Sequence, residues 1–294
     1  MSRYLIILAV AFLQFSCKKE NPPKKVFAET WVLKAKEIWN IDHGLKFYKD
    51  GTCDVFPGYY DEDKYIQDTL TDREEMVLHY IGNRTHYRLE GGSLKLFNLT
   101  KKKWQSFGFK KKGKTIWLSH DSIREKYDLV RNDVSNVPDF DEVIVSSSAC
   151  YGSCPHSATS ISRNGEVFYY GAYHVIHKGF YSGKLKSGSF DSIASLFKEG
   201  KYHRLKPLYV SRSTDGSNMS VCFLKNGRII KSIEDDGSGP AVLAWAVQRV
   251  KYLEQQLPLS KEEIPEYFEP GFLFLTFNNK KGALMLTKSE SLLL

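Results

Sequence analysis

The chain has 294 residues, of which 42% are hydrophobic and 14% aromatic, and it carries a formal net charge of +8. That is length for about two domains and enough apolar surface for real cores, which excludes a globally disordered chain. The basic balance reads as a solvated surface rather than a nucleic-acid footprint, because net charge speaks to solubility before it speaks to partners.

Residues 1–3 are a short positive start, and residues 4–13 are an apolar run too short to span a bilayer but of signal-peptide length. Ser16 then precedes Cys17. This order resembles a bacterial lipoprotein signal. The resemblance implies a signal peptide over 1–16, cleavage before Cys17 and acyl chains such as palmitate on that cysteine. It also implies a place in the envelope of a Gram-negative bacterium, at the outer membrane. Residues 17–26, with Pro22 and Pro23, would be the lipidated tether.

Residues 27–133 read as a β-rich domain. Segments 45–48 and 53–56 flank an Asp50-Gly51 turn. Segments ending at Leu89 and starting at Leu94 flank Gly91-Gly92, and Gly113 splits two further apolar stretches. Short strands at regular intervals predict an antiparallel meander or small barrel. Residues 61–72 read as a charged loop, and Cys53 as a small buried hydrophobe. Lys101 to Lys103 and Lys110 to Lys112 sit at expected turns and need no ligand to explain them. The early Trp31, the Gly-turn hairpin and the Tyr127 strand resemble lipocalin-like domains. That resemblance implies a barrel with an apolar cavity for a small ligand; the competing expectation is a barrel filled by its own side chains.

Residues 140–257 read as an α+β domain, which makes the whole chain α+β. Two Asn-Gly pairs, Asn164-Gly165 and Asn226-Gly227, each predict a hairpin. Ser189 is placed to cap a helix carrying Phe190, Ile193 and Phe197 on one face, with Gly200 at its end. A longer helix is expected to open with Pro240 in its first turn and to stop at Pro258.

The densest chemistry is Cys150, Tyr151, Gly152, Ser153, Cys154, Pro155 and His156. Three readings stay open. The first is a Cys150–Cys154 disulfide pinning a turn, which an exported protein permits. The second is a redox or nucleophilic pair, with Tyr151 or His156 lowering a thiol pKa. The third is a zinc site using Cys150, Cys154, His156 and Cys222. Compartment and spacing favour the first. Asp215 is expected in a polar turn, with an acidic or metal-binding role as the sharper alternative. His174 and His177 read as solvated strand residues on opposite faces.

The Cys150–Pro155 motif, followed by Asn164-Gly165, Gly171, Gly179, Phe180, Tyr181, Tyr209, Asp215, Asp236-Gly237 and Pro240, resembles the domain-of-unknown-function 6438 family. His156-Ser157 departs from the family's apolar pair after the proline. The resemblance implies a fold and an envelope context, and no activity.

Residues 258–294 read as a tail, with a hairpin of segments 272–277 and 283–286 that joins either body or binds something. The expected function is therefore a membrane-held, non-enzymatic binding or interaction module. Its partner would be a small apolar ligand or an envelope protein, with no cofactor, metal or nucleic acid. The alternative is a thiol-based or metal-dependent enzyme centred on Cys150, Cys154 and His156.

Overall fold

Trp31 opens a closed eight-stranded barrel. The protein's computed structural model describes residues 29–33, 43–61, 65–67, 74–130, 133–211, 215–263, 276–279 and 282–291. The expected signal peptide, Cys17 and the expected tether lie outside the described residues.

The first ten strands are β1 Thr30–Leu33, β2 Gly44–Phe47, β3 Thr52–Asp61, β4 Tyr65–Gln67, β5 Glu74–Met76, β6 His79–Glu90, β7 Ser93–Asn98, β8 Lys103–Lys112, β9 Thr115–His120 and β10 Ile123–Val130. The barrel order is β1-β10-β9-β8-β7-β6-β3-β2, antiparallel throughout, so it is the expected meander closed on itself. The charged stretch expected as a loop contains β4, which pairs with β5 alone in a small hairpin off the barrel. Alternation of apolar and polar residues along each strand turns Trp31, Phe47, Cys53, Leu94 and Ile116 inward, where all five are buried. The interior is packed by these side chains.

The second body has the strands β11 Glu142–Ser147, β12 His156–Ser162, β13 Glu166–Tyr173, β14 Gly179–Lys184, β15 Leu208–Tyr209, β16 Met219–Lys225, β17 Arg228–Asp235 and β18 Leu259–Lys261. Its helices are α1 Ser189–Glu199 and α2 Ala241–Lys251. The sheet order is β15-β17-β16-β11-β12-β13-β14-β18, with only β15 parallel to its neighbour β17. Both Asn-Gly hairpins form, as β12–β13 and β16–β17. Val143 and Val145 face the helices, in one core with Phe197, Phe223 and Val247. Ile144 points to the other face with Cys222 and Leu224. The described residues are mostly β with few helices.

Three local expectations are corrected. Ser189 is the first helical residue and caps nothing; Gly188, in the left-handed region at φ 78°, stands before α1 with no side-chain cap bond. Pro240 precedes α2 in extended conformation, and the helix ends at Lys251, well before Pro258. A 3-10 turn, Leu253–Gln256, fills the gap. The tail hairpin, β19 Thr276–Asn279 with β20 Gly282–Met285, pairs with itself and adds a strand to neither body. After it a short helix, α3 Lys288–Ser291, lies on β11 and β16, with the Ser289 hydroxyl donating to Ser220 Oγ at 2.7 Å.

The two bodies pack together. Trp245 of α2 stacks on Phe56 of β3, with centroids 4.5 Å apart and planes 7° from parallel. Tyr252 packs against Tyr60 and Tyr80. Gln255 accepts from the Tyr80 backbone N–H at 2.7 Å and donates to the Leu78 carbonyl at 3.1 Å. Gly44 is required here, since a Cβ on it would lie 2.1 Å from the Trp245 ring.

Candidate functional site

Residues 148–155 connect β11 to β12 at one end of the second sheet. Cys150 and Cys154 are bridged across this loop, with Cα atoms 5.5 Å apart. Beneath the bridge, the Ser147 hydroxyl donates to the Pro155 carbonyl at 2.5 Å. The turn before β16 holds the loop from the side. The Ser148 N–H donates to the Asn218 carbonyl at 2.8 Å, and the Ser148 hydroxyl accepts from the Asn218 N–H at 2.9 Å. The Ser217 hydroxyl donates to the Ser148 carbonyl at 2.7 Å, and the Tyr151 N–H reaches the Asp215 carbonyl at 3.4 Å. The loop thus carries both a covalent and a hydrogen-bonded restraint, and it presents Tyr151 with 93% of its surface exposed.

Beside it lies a hollow of about 90 Å³ lined by Leu208, Tyr209, Asn218, Met219, Ser220, Glu234, Asp235 and Asp236. Its acids differ in what they do. Asp235 is buried, and its Oδ1 accepts the N–H groups of Gly237, Ser238 and Gly239 at 3.0, 2.9 and 2.7 Å. It closes the turn into α2, and a Cβ on Gly239 would collide with its carboxylate at 2.4 Å. Asp236 accepts from the Ser211 N–H. The Glu234 carboxylate has no hydrogen-bond or ion-pair partner among the described residues. Leu208 and Val210 are exposed at the edge of this end of the sheet.

The predicted site residues therefore divide. Tyr151, the Cys150–Cys154 bridge and the backbone of Asp215 come together. His156 opens β12 and is buried, with its ring stacked on Tyr173 at 6.0 Å. Cys222 is buried in the middle of β16 opposite Ile144, away from the sheet end. Among the described residues, no group of three His, Cys, Asp or Glu side chains is arranged to hold a metal ion. A bridged pair has no thiolate, so it serves as nucleophile or ligand only after reduction.

A second polar constellation escaped the sequence reading. His174 and His177 lie in the loop between β13 and β14, not in a strand. His177 Nδ1 is 2.6 Å from Glu254 Oε2, and Glu254 is buried. Burial pushes the Glu254 carboxyl above its ordinary value, and the His177 contact opposes that rise. Tyr169 lies on the same side of the sheet, fully buried, and burial drives its phenol well up. The same loop reaches the β4–β5 hairpin: Lys178 Nζ is 3.1 Å from Glu75 Oε2, which also accepts the His174 N–H at 3.0 Å. The sequence signal was Gly171, since a glycine inside a strand marks a close backbone approach.

No curated protein and no solved structure matches the chain. One family model does match, over residues 141–254, and those residues run from the start of β11 to the buried Glu254. The disulfide loop, the hollow and both longer helices fall inside that span, and this part of the chain resembles the family described as Domain of unknown function (DUF6438).

Proposed function

We propose that the chain is an envelope lipoprotein, anchored by lipid on Cys17, whose folded part is a non-enzymatic binding module. The observation that supports it is Tyr151, almost fully exposed on a loop that cannot move freely. A tyrosine brings large contact area at low rotamer cost, and a loop already ordered loses little entropy when a partner docks. Leu208 and Val210 add apolar surface at the same end of the sheet. The partner is an envelope protein segment rather than a small apolar ligand, because the barrel interior is occupied by Trp31, Phe47 and their neighbours.

Two experiments test this. Cys17→Ala should move the protein from the membrane pellet to the soluble fraction; unchanged fractionation would refute the anchor. A photo-crosslinking residue at position 151 should trap one discrete species in cells, and Cys150→Ser with Cys154→Ser should abolish it. Steady turnover of an envelope substrate, lost in the same double variant, would overturn the non-enzymatic reading.

A further inference from the structure

Residues 79–130, which run from β6 to β10, carry twelve Lys or Arg against four Asp or Glu, a net charge as large as that of the entire chain. The sequence scatters these lysines among turns, and barrel closure gathers them. Along β8, Phe107 and Phe109 pack against the barrel core, so the alternate positions Trp104, Lys110 and Lys112 face outward. Lys110 stands opposite Trp117, and Trp104 opposite Phe97, so the face mixes cations with aromatic rings. Arg88 lies over the Trp104 ring at 4.3 Å. Lys95 and Lys126 are paired with Glu90 and Asp128. The lysines at 101–103, 110, 112 and 114 have no ion pair among the described residues.

This face is also unobstructed by the second body. In the eight-membered ring β8 lies opposite β2, and β2, β3 and the start of β6 carry the contacts to the second body through Gly44, Phe56 and Tyr80. The charged face therefore looks outward.

We infer that this outer face of the barrel docks on an anionic lipid bilayer surface. The charge fits anionic headgroups. Trp104, 39% exposed, and Ile123, 63% exposed at the β9–β10 turn, fit the interfacial zone, where amphipathic rings and short apolar side chains settle. A broad convex barrel face fits a membrane plane better than it fits a nucleic-acid groove. The inference goes beyond the anchor. Only about a dozen residues separate Cys17 from Thr30, a reach of at most ~45 Å. A lipid on Cys17 would hold the barrel near the membrane, and the charged face would set which way the barrel turns. The face remains cationic whether or not Cys17 is acylated.

The test uses the full chain carrying Cys17→Ala, so that no acyl chain contributes, and follows co-sedimentation with vesicles. Partition onto phosphatidylglycerol vesicles should exceed that onto phosphatidylcholine and should fall as salt is raised. Lys110→Gln, Lys112→Gln and Lys114→Gln together should lower it about a hundredfold, at roughly fivefold per lysine. The corresponding triple glutamate variant should abolish the phosphatidylglycerol preference. These positions are exposed, and an unchanged melting temperature would show that the variants fold. A parent with no phosphatidylglycerol preference, or a preference that survives both variants, would overturn the inference. So would tighter binding to duplex DNA than to the vesicles at equal ionic strength. Failure here would leave the anchor intact, because that is read from fractionation of the acylated protein.

Discussion

At the scale of single residues, Gly171 decides most. A Cβ there would fall 2.0 Å from the His177 carbonyl and 2.6 Å from the Tyr169 hydroxyl. Its absence lets the loop after β13 fold back over the strand, which carries His177 to Glu254. Gly171→Ala should cost about 2 kcal/mol or more, as overpacking does when backbone has to move, and a urea titration would measure it. Glu254 gives a pH test. Its folded value is raised above the ordinary 4.5 by burial. A group of this kind contributes stability that is full below its unfolded pKa and is lost as pH rises through the folded one. In Glu254→Gln that loss disappears, and the amide can still bond the His177 ring. The difference in urea midpoint, wild type minus variant, should therefore fall as pH rises from 4.5; a flat difference would show that the carboxyl is not raised. In the sequence His174 and His177 looked alike and solvated. Their distinction comes from a carboxylate distant in sequence, which no local spacing could announce.

At the scale of elements, the disulfide loop and the tail differ in how much of the chain depends on them. The Cys150–Cys154 bridge closes a very short loop, so the chain entropy it removes is worth only about 2 kcal/mol. Ser147, Ser148, Ser217 and Asn218 already fix the loop's ends. Cys150→Ser with Cys154→Ser should leave the second body folded, with faster amide exchange confined to the loop; exchange spreading into β11 and β16 would mean that the bridge supports the sheet. The α3 segment is a different kind of contact. Thr287 and Glu290 cap each other, with Thr287 N–H to Glu290 Oε2 at 2.8 Å and Glu290 N–H to Thr287 Oγ1 at 3.2 Å. The other Glu290 oxygen accepts from the Ser232 hydroxyl at 2.5 Å, directly across the strand pair from Cys222. Deleting residues 286–294 should therefore open Cys222 to a maleimide in the folded protein while Cys53, enclosed in the barrel, stays unlabelled. That box, Thr-x-x-Glu, was visible in the sequence. What it docks on was not, because the back face of the sheet exists only once β11 and β16 are paired.

At the scale of the whole molecule, legibility tracks distance along the chain. The Asp50-Gly51, Asn164-Gly165 and Asn226-Gly227 turns name their own hairpins, because the residues that need positive φ are the signal. The apolar stripe of α1 likewise names a helix. The Cys150–Cys154 bridge is also a short-range fact, and Tyr151 came with it. The union of the two bodies was not legible, since its residues sit in separate segments whose aromatic character fits any core. Trp245 makes the point. On the helix it reads as one more apolar residue, yet it stacks on Phe56 from the barrel, and Gly44 leaves room for its ring. Gln255 adds two hydrogen bonds to the barrel backbone a short way along the chain. With the junction buried in this way, the bodies should unfold together in a single calorimetric transition. Trp245→Ala removes the stack and leaves a void between Phe56 and Gly44, a change that costs about 3 kcal/mol or more when the ring is fully enclosed. That loss falls on the junction rather than on either core, so the variant should show two separated transitions. The barrel's midpoint should stay close to that of the intact protein, because Trp31, Phe47 and Ile116 are untouched. A single transition merely shifted to lower temperature would show that Trp245 belongs to the core of the second body, and that the barrel is held to it by the hydrogen bonds of Gln255 and the ion pair of Lys46 with Glu199.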